Sequence, residues 1–408
     1  MGLFQRLAGL VLATALVSCS SVVVEVEEAT TTSVTELAPT TTTFSTTTTT
    51  ETTTTTTTVP TTTTTTLVPP DGLTSAERRL EKIAEISGEI SPKSLVASGT
   101  GLIFAQNMMY RHTVTVYDRE YRLLATISDR VRPAEFGHAE FSGELRGSPV
   151  EAAFTADGTH AYVSNYKMYG GGLRTDAGDD CPRGNWPDSF VYRIDTATLQ
   201  IDQVIRVGPV PKYLAVTPDD RMLVVANWCG YDVSLVALDT GAEVARVPVG
   251  RFPRGIVISA DSAIAYVAIM GSTRIATVDL ATHEVGYIDG VGRSPRHLVI
   301  NPEGDTIYVS LNGEGRIAKL DLSTGMVVGR VATGLAPRSM VLSDDGTALY
   351  VVNYNSNTMS KVRTSDMVEL EEHPTGHHPI GITYDAATRQ VWVSPYGGPI
   401  QIWVDSAP

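Results

Sequence analysis

Hydrophobic and polar positions alternate along most of the chain in a pattern typical of short β-strands separated by turns. The clearest stretch begins at Pro337 and predicts strands over 339–342, 348–353, 358–363 and 367–371. The first two are joined by Ser343-Asp344-Asp345-Gly346, a sequence typical of a tight turn. Short strands broken by Asp/Gly turns favour a four-stranded antiparallel meander.

The same pattern recurs with a fixed period. Pro211, Pro253, Pro295, Pro337 and Pro379 are each 42 residues apart. Two further starts lie upstream, because Pro149 precedes Pro211 by 62 residues and Pro92 precedes Pro149 by 57. These intervals equal one period plus insertions of 20 and 15 residues. Seven units of four strands predict seven blades of a β-propeller.

The two ends of the repeat region complement each other. The last unit, from Pro379, has only 30 residues, which suffice for strands at 380–384, 391–394 and 400–404. A spare strand is expected at 82–86, before the first blade. A strand borrowed from the other end closes the ring and removes both open sheet edges. We therefore predict an all-β domain over 71–408, a seven-bladed β-propeller closed by its N-terminal strand.

A family resemblance supports this prediction. The second strands contain Tyr162-Val163-Ser164-Asn165, Val224-Val225-Ala226-Asn227, Tyr308-Val309-Ser310-Leu311 and Tyr350-Val351-Val352-Asn353. Together with the Asp-Gly turn and the repeated proline, they resemble the YVTN-type β-propeller repeat of prokaryotic surface and periplasmic proteins. That family includes adhesive and ligand-binding members, and related propellers include lactonases and quinoproteins, so the resemblance specifies fold far better than function.

The N-terminus carries an export signal. An apolar run from Leu7 to Val17 follows Arg6 and is too short for a stable membrane span. Its end, Leu16-Val17-Ser18-Cys19, resembles the lipobox of bacterial lipoproteins. We expect residues 1–18 to be removed and Cys19 to be lipidated, so that the exported protein is anchored to the outer face of the membrane. The alternative is ordinary secretory cleavage with Cys19 incidental.

A threonine-rich segment separates this signal from the repeats. Of the 37 residues from 30 to 66, 26 are Thr, and no Lys or Arg occurs from 20 to 70. So few large apolar groups cannot offset the entropy lost on folding. Residues 19–70 are therefore predicted to be a disordered linker, either glycosylated or bare.

Both insertions are predicted on the same face of the ring. One occupies about 129–148, between blades, and the other about 167–189, between the second and third strands of the second blade. Cys181 lies in the second insertion and Cys229 in the equivalent connection of the next blade. In an exported protein we expect these to form a disulfide, with two free thiols as the alternative.

The residues after the repeat prolines form a candidate binding site. Five of these seven equivalent positions are cationic: Lys93, Lys212, Arg254, Arg296 and Arg338. On a chain with net charge −14, this local reversal of sign suits an anionic ligand. Structural pairing within each blade is the alternative.

Amides and aromatic rings follow at the ends of the second strands, on the same face. They are Asn107, Asn165, Tyr166, Asn227, Trp228, Asn353 and Tyr354. Such side chains suit recognition of a sugar or peptide through hydrogen bonds and stacking. Asn in these positions is equally consistent with a turn residue.

A metal-dependent activity is the alternative function. Glu151 stands where the other blades have Gly, Ser, His or Tyr, and with Asn165 and His112 it is a candidate ligand set for calcium or another divalent cation. The related lactonases, which use Glu and Asn around calcium, imply the same possibility. However, the sequence has no His-x-His pair and no Gly-x-Ser-x-Gly elbow.

The amino-acid composition excludes several classes of function. The chain has 45 acidic against 31 basic residues, which argues against sequence-independent binding of nucleic acid. Three Cys without a CxxC pair exclude a thiolate zinc site or an iron–sulfur cluster. We predict a noncatalytic module that binds a protein, peptide or glycan at the cell surface without a cofactor. A calcium-type lactonase-like hydrolase and a scaffold of a surface assembly are the alternatives.

Overall fold

The structure is a computed structural model that describes residues 71–408, except 172, 174–179 and 182–185. The predicted signal peptide, Cys19 and the Thr-rich linker lie outside the described residues. Two 3-10 helices occur among the described residues, at Ser75–Glu77 and Pro133–Phe136. Neither is long and apolar enough to cross a membrane.

Seven antiparallel sheets of four strands make up the described domain, as the repeat predicts. A strand at Arg79–Ile86 (β1) comes first. Blade 1 contains β2 (Ser94–Ala97), β3 (Ile103–Asn107), β4 (Thr113–Tyr117) and β5 (Leu123–Ser128). A short ribbon follows, formed by β6 (Arg130–Val131) and β7 (Leu145–Arg146). Blade 2 contains β8 (Pro149–Phe154), β9 (His160–Asn165), β10 (Ser189–Asp195) and β11 (Gln200–Val207).

The next four blades follow without long insertions. Blade 3 contains β12 (Pro211–Val216), β13 (Met222–Asn227), β14 (Asp232–Ala237) and β15 (Ala242–Pro248). Blade 4 contains β16 (Pro253–Ile258), β17 (Ile264–Ile269), β18 (Arg274–Asp279) and β19 (Val285–Ile288). Blade 5 contains β20 (Pro295–Ile300), β21 (Thr306–Leu311), β22 (Arg316–Asp321) and β23 (Met326–Ala332). Blade 6 contains β24 (Pro337–Leu342), β25 (Ala348–Asn353), β26 (Thr358–Arg363) and β27 (Val368–Pro374).

Blade 7 closes the ring with a strand from each end of the repeat region. It contains β28 (Pro379–Asp385), β29 (Gln390–Pro395), β30 (Ile400–Ser406) and β1. β1 pairs antiparallel with β30, from Arg79 opposite Ser406 to Ile86 opposite Ile400. The first strand of every blade contacts that of the next, and β28 contacts β2. The predicted closure is confirmed.

The hydrophobic core lies between neighbouring blades. Val224 of β13 packs towards Ile256 and Val267 of blade 4, whereas the next residue, Val225, packs with Tyr162 of blade 2. Because both faces of each sheet are covered, the inner strands are continuous apolar runs, as in β25, where all six residues are buried. Outer strands such as β15 alternate in exposure instead.

The insertions lie where the repeat alignment predicts them. Residues 129–148 run between β5 and β8, and 166–188 connect β9 to β10. The predicted disulfide is confirmed, since Cys181 is bonded to Cys229 of the β13–β14 connection. It therefore ties the second insertion to the neighbouring blade.

Candidate functional site

The backbone before and after each repeat proline has an unusual local conformation. In six blades the first strand starts at the proline and its pairing register shifts directly afterwards, as in a β-bulge. In blades 3 to 7 the residue before the proline is left-handed: Val210, Phe252, Ser294, Ala336 and His378 have φ between 51° and 63°. Such bulges change which way a side chain points. They place the residues after the prolines at the end of the central channel.

A recurring hydrogen bond positions a second set of residues. In blades 2 to 7 the residue after the second strand donates its backbone N–H to the carbonyl of the residue before the proline, at 2.9–3.2 Å. The donors are Tyr166, Trp228, Met270, Asn312, Tyr354 and Tyr396. Each of these six blades therefore presents one residue from its first strand and one that follows its second strand at the same end of the ring.

These two sets enclose a cavity of about 490 Å³, here called the central pocket. That volume is within the usual range for small-molecule sites. Fourteen residues line it: Lys93, Met108, Met109, Val150, Tyr166, Lys212, Trp228, Arg254, Met270, Arg296, Arg338, Tyr354, Ile380 and Tyr396. The structure thus brings together the five predicted cations and three of the predicted aromatic residues.

The central pocket is strongly positive. None of its described lining residues is acidic, although the chain as a whole carries a net charge of −14. Lys93, Arg254 and Arg296 are only 5–8% exposed. In the described part of the chain, no carboxylate forms an ion pair within 4.0 Å of Lys93, Arg296 or Arg338. Buried charges normally have close partners, so these three cations favour an anion supplied from outside.

The pKa shifts of the pocket cations reflect the closeness of the positive groups to one another. Burial and the neighbouring arginines hold the pKa of Lys93 well below its usual value, with a smaller opposing effect of Glu151. Burial, Arg338 and Arg254 act on the pKa of Arg296 in the same direction. Burial lowers the pKa of Arg338 to about 10. Each shift means that the positive form is penalised in the unliganded protein, and an anion among these groups would reduce the penalty.

Aromatic rings hold two of the cations in place. The guanidinium carbon of Arg338 lies 3.5 Å from the ring centre of Tyr354, which stacks on His378. Lys212 Nζ lies 4.2 Å from the ring centre of Trp228 and 5.0 Å from that of Tyr166. Cation–π contacts of this kind orient a cation without neutralising it.

A second layer of residues comes two positions after the repeat prolines. It includes Glu151, Tyr213 and His297. The Tyr213 and His297 rings meet edge to face at 5.2 Å. Glu151 is 6% exposed, and burial raises its pKa against the opposing effects of Lys93 and Arg254. Among the described residues, Glu151 is therefore a carboxylate that acts on both Lys93 and Arg296.

We expect His297 to make the free energy of unfolding depend on pH. Burial, Arg254 and Arg296 lower its pKa to about 3, whereas an unfolded histidine titrates near 6.5. Between these values the unfolded chain binds a proton that the native state does not, so the free energy of unfolding falls as pH falls. We expect His297→Gln to reduce that slope by up to about 1.4 kcal/mol per pH unit in urea denaturation between pH 4 and 6.5. Exposed His283→Asn is the control, and equal slopes in all three proteins would contradict the assignment.

The four predicted asparagines lie outside the central pocket. Asn107, Asn165, Asn227 and Asn353 are all fully buried. Asn107 Oδ1 accepts from Ser91 N, and Asn165 Oδ1 accepts from Ser148 N. Asn353 Nδ2 donates to Ser360 Oγ. Their amides thus hold the connections between blades and strands, while the residues that follow them in sequence face the pocket.

The three candidate metal ligands are engaged separately. His112 donates from Nδ1 to Gly147 O at 2.9 Å, and both polar atoms of the Asn165 amide have backbone partners. Glu151 faces cations, which would repel a divalent metal ion. These contacts give the metal hypothesis no support, and it stays a prediction.

Another group of potential ligands lies at the opposite end of blade 2. The ligand atoms of His160, Asp195 and Asp202 all lie within 4.8 Å of one another. Arg193 already forms a two-pronged ion pair with Asp202, at 2.8 and 3.0 Å. That guanidinium supplies the countercharge which a metal would otherwise bring.

Sequence reasoning missed part of the pocket. Met108, Met109, Met270 and Tyr396 line it but carry no motif of their own. The available signal was positional, because three of them directly follow a second strand, as Tyr166 and Trp228 do. Equivalence across repeats, rather than residue type, identifies them.

In comparison with known proteins, the sequence matches no family model and none of the curated proteins.

Proposed function

We propose that this protein is a noncatalytic binding module that holds an anionic ligand in the central pocket. A seven-bladed propeller is consistent with a binding or interaction role. The observation that carries the proposal is the convergence of five cations on a cavity with no acidic residue among its described lining residues, in an acidic protein. The ligand would supply negative charge to Lys93, Arg296 and Arg338, as a free small molecule or as part of a protein, peptide or glycan.

The N-terminal sequence suggests where binding takes place. In this proposal the protein belongs to the YVTN-type repeat proteins and is exported. Lipidation at Cys19 then anchors it, and the Thr-rich segment holds the propeller away from the membrane. About 50 residues of flexible chain reach roughly 40 Å, which suits an encounter with partners beyond the membrane surface.

Neutralising the arginines of the pocket tests the proposal. We expect the full chain to bind citrate in isothermal titration calorimetry, with affinity that falls as NaCl rises. The triple variant Arg254→Gln/Arg296→Gln/Arg338→Gln should lose at least about 100-fold in affinity, because each charge-assisted hydrogen bond contributes roughly 1.5–3 kcal/mol. Its melting temperature should stay the same or rise, since like charges no longer repel.

A matched control variant distinguishes the effect of the pocket arginines on affinity from the effect of net charge. Arg221→Gln/Arg316→Gln/Arg363→Gln removes the same charge from exposed or partly exposed positions outside the central pocket. This variant should bind citrate as the wild type does. Equal affinity in the wild type and the pocket variant would end the proposal.

A further inference from the structure

The central pocket has two chemically different sides. Blades 3 to 6 contribute Lys212, Arg254, Arg296 and Arg338, here called the cationic side. The equivalent positions of blades 7 and 2 hold Ile380 and Val150, and blade 1 adds Met108 and Met109. These four form the apolar side. In a ring of seven, blades 7, 1 and 2 lie opposite blades 4 and 5, so the two sides face each other across the cavity.

Two of the four residues of the apolar side are buried as deeply as the hydrophobic core. Ile380 and Val150 are only 2% and 1% exposed. Met109 Sδ accepts a hydrogen bond from Tyr396 OH at 3.0 Å, which joins blade 1 to blade 7 over this wall. Lys93 lies between Ile380 and Val150 in blade order and is the one cation that this half of the ring contributes to the described lining of the pocket. A small hydrated anion or a sugar would leave this wall without a complementary surface.

We infer that the ligand is an amphiphilic organic anion, whose charged head contacts the cationic side and whose apolar body covers the apolar side. This inference rests on the proposed function, since it assigns a chemical class to the ligand of the same pocket. The methionine side chains suit such a ligand because they adapt to apolar groups of different shape. Tyr396 and Tyr354 join the two sides with rings that offer an apolar face and a hydroxyl.

A chain-length series tests the inference. Binding of acetate, hexanoate and hexylammonium to the full chain would be measured by calorimetry. Each added methylene that reaches the apolar side should raise affinity about fourfold, so hexanoate should bind on the order of 100-fold more tightly than acetate. Hexylammonium, with the same body and opposite charge, should not bind detectably.

Variants of the apolar side provide the second readout. Val150→Thr/Ile380→Thr keeps β-branched residues in both strands but makes the wall polar. It should weaken hexanoate binding about tenfold and leave acetate unchanged. The matched control, Val244→Thr/Val328→Thr, makes the same kind of change at exposed positions of outer strands and should alter neither. Should the pocket variant fail to fold, Met108→Gln/Met109→Gln makes the equivalent change at less buried positions.

The outcomes separate this inference from the proposed function. Equal affinities for acetate and hexanoate, with binding still lost in the arginine variant, would overturn the amphiphilic ligand and leave the anion pocket standing. Two results would overturn both the inference and the proposed function. The first is tight binding of hexylammonium. The second is binding of citrate and hexanoate to the arginine variant with wild-type affinity. A blocked peptide ending in a free Leu carboxylate distinguishes the sources. If this peptide binds more tightly than hexanoate and the corresponding peptide amide does not bind, the anion is a peptide C-terminus. If the peptide binds more weakly than hexanoate, the anion is a free organic acid.

Discussion

Lys361→Met is expected to lower the free energy of unfolding by about 3–5 kcal/mol, because it leaves a buried carboxylate without its partner. Lys361 and Asp405 are both fully buried and form an ion pair where the ring closes. Lys361 Nζ also donates to Arg78 O at 2.9 Å, and Tyr350 OH donates to the other oxygen of Asp405. Blade 6, β30 and the segment before β1 therefore meet at one charged group.

Denaturant unfolding of three variants checks this expectation. Lys361→Met/Asp405→Asn should be more stable than Lys361→Met alone, since the orphaned charge is gone and an acceptor for Tyr350 remains. The single variant should lose less stability at pH 5 than at pH 7, because the carboxyl can take up a proton. Lys82→Met disrupts the half-exposed pair with Glu85 in β1 and should cost at most about 1 kcal/mol. Similar losses for Lys82→Met and Lys361→Met would show that closure does not depend on the buried pair.

The ring itself could be predicted from sequence because its signals are local and repeated. Evenly spaced prolines and Asp-Gly turns define each unit, and a short last unit requires a strand from elsewhere. The strand ends were less accurate. The fourth strand of blade 6 was predicted to end at 371 but continues to Pro374, and the closing strand begins at Arg79 instead of 82. Backbone pairing extends through polar residues, which the hydrophobic pattern cannot detect.

The chemistry of the pocket was only partly predictable. The cations were found because they occupy one repeated position. The hydrophobic wall depends on Val150 and Ile380, and in the sequence these are only the two exceptions among seven repeated positions. The asparagines were predicted as binding residues but are buried within the fold. An amide at a strand end suits either contact with a ligand or a turn, so the sequence alone does not distinguish the two roles. Burial decides between them, and burial depends on how the bulged connections fold back over the second strands.

Gly255→Ala is the second change with a large expected effect, at about 3 kcal/mol, because it forces two blades apart. A Cβ at Gly255 would lie 2.8 Å from His297 Cα and 2.9 Å from Arg296 O, both in the first strand of blade 5. Backbone atoms in a paired strand cannot turn away as a flexible side chain can. The displaced strand carries Arg296, so citrate affinity should fall together with stability.

Gly143→Ala is the matched control for this substitution. Gly143 is exposed, has an ordinary φ, and among the described residues no heavy atom beyond its two chain neighbours lies within 4 Å of the added Cβ. The change should therefore alter stability by no more than about 0.5 kcal/mol. Thermal unfolding and citrate titration of both variants provide the comparison. If Gly255→Ala unfolded at the wild-type temperature and bound citrate normally, blades 4 and 5 would not be in the close contact that holds Arg254 and Arg296 together, and the geometry assigned to the cationic side would have to be abandoned.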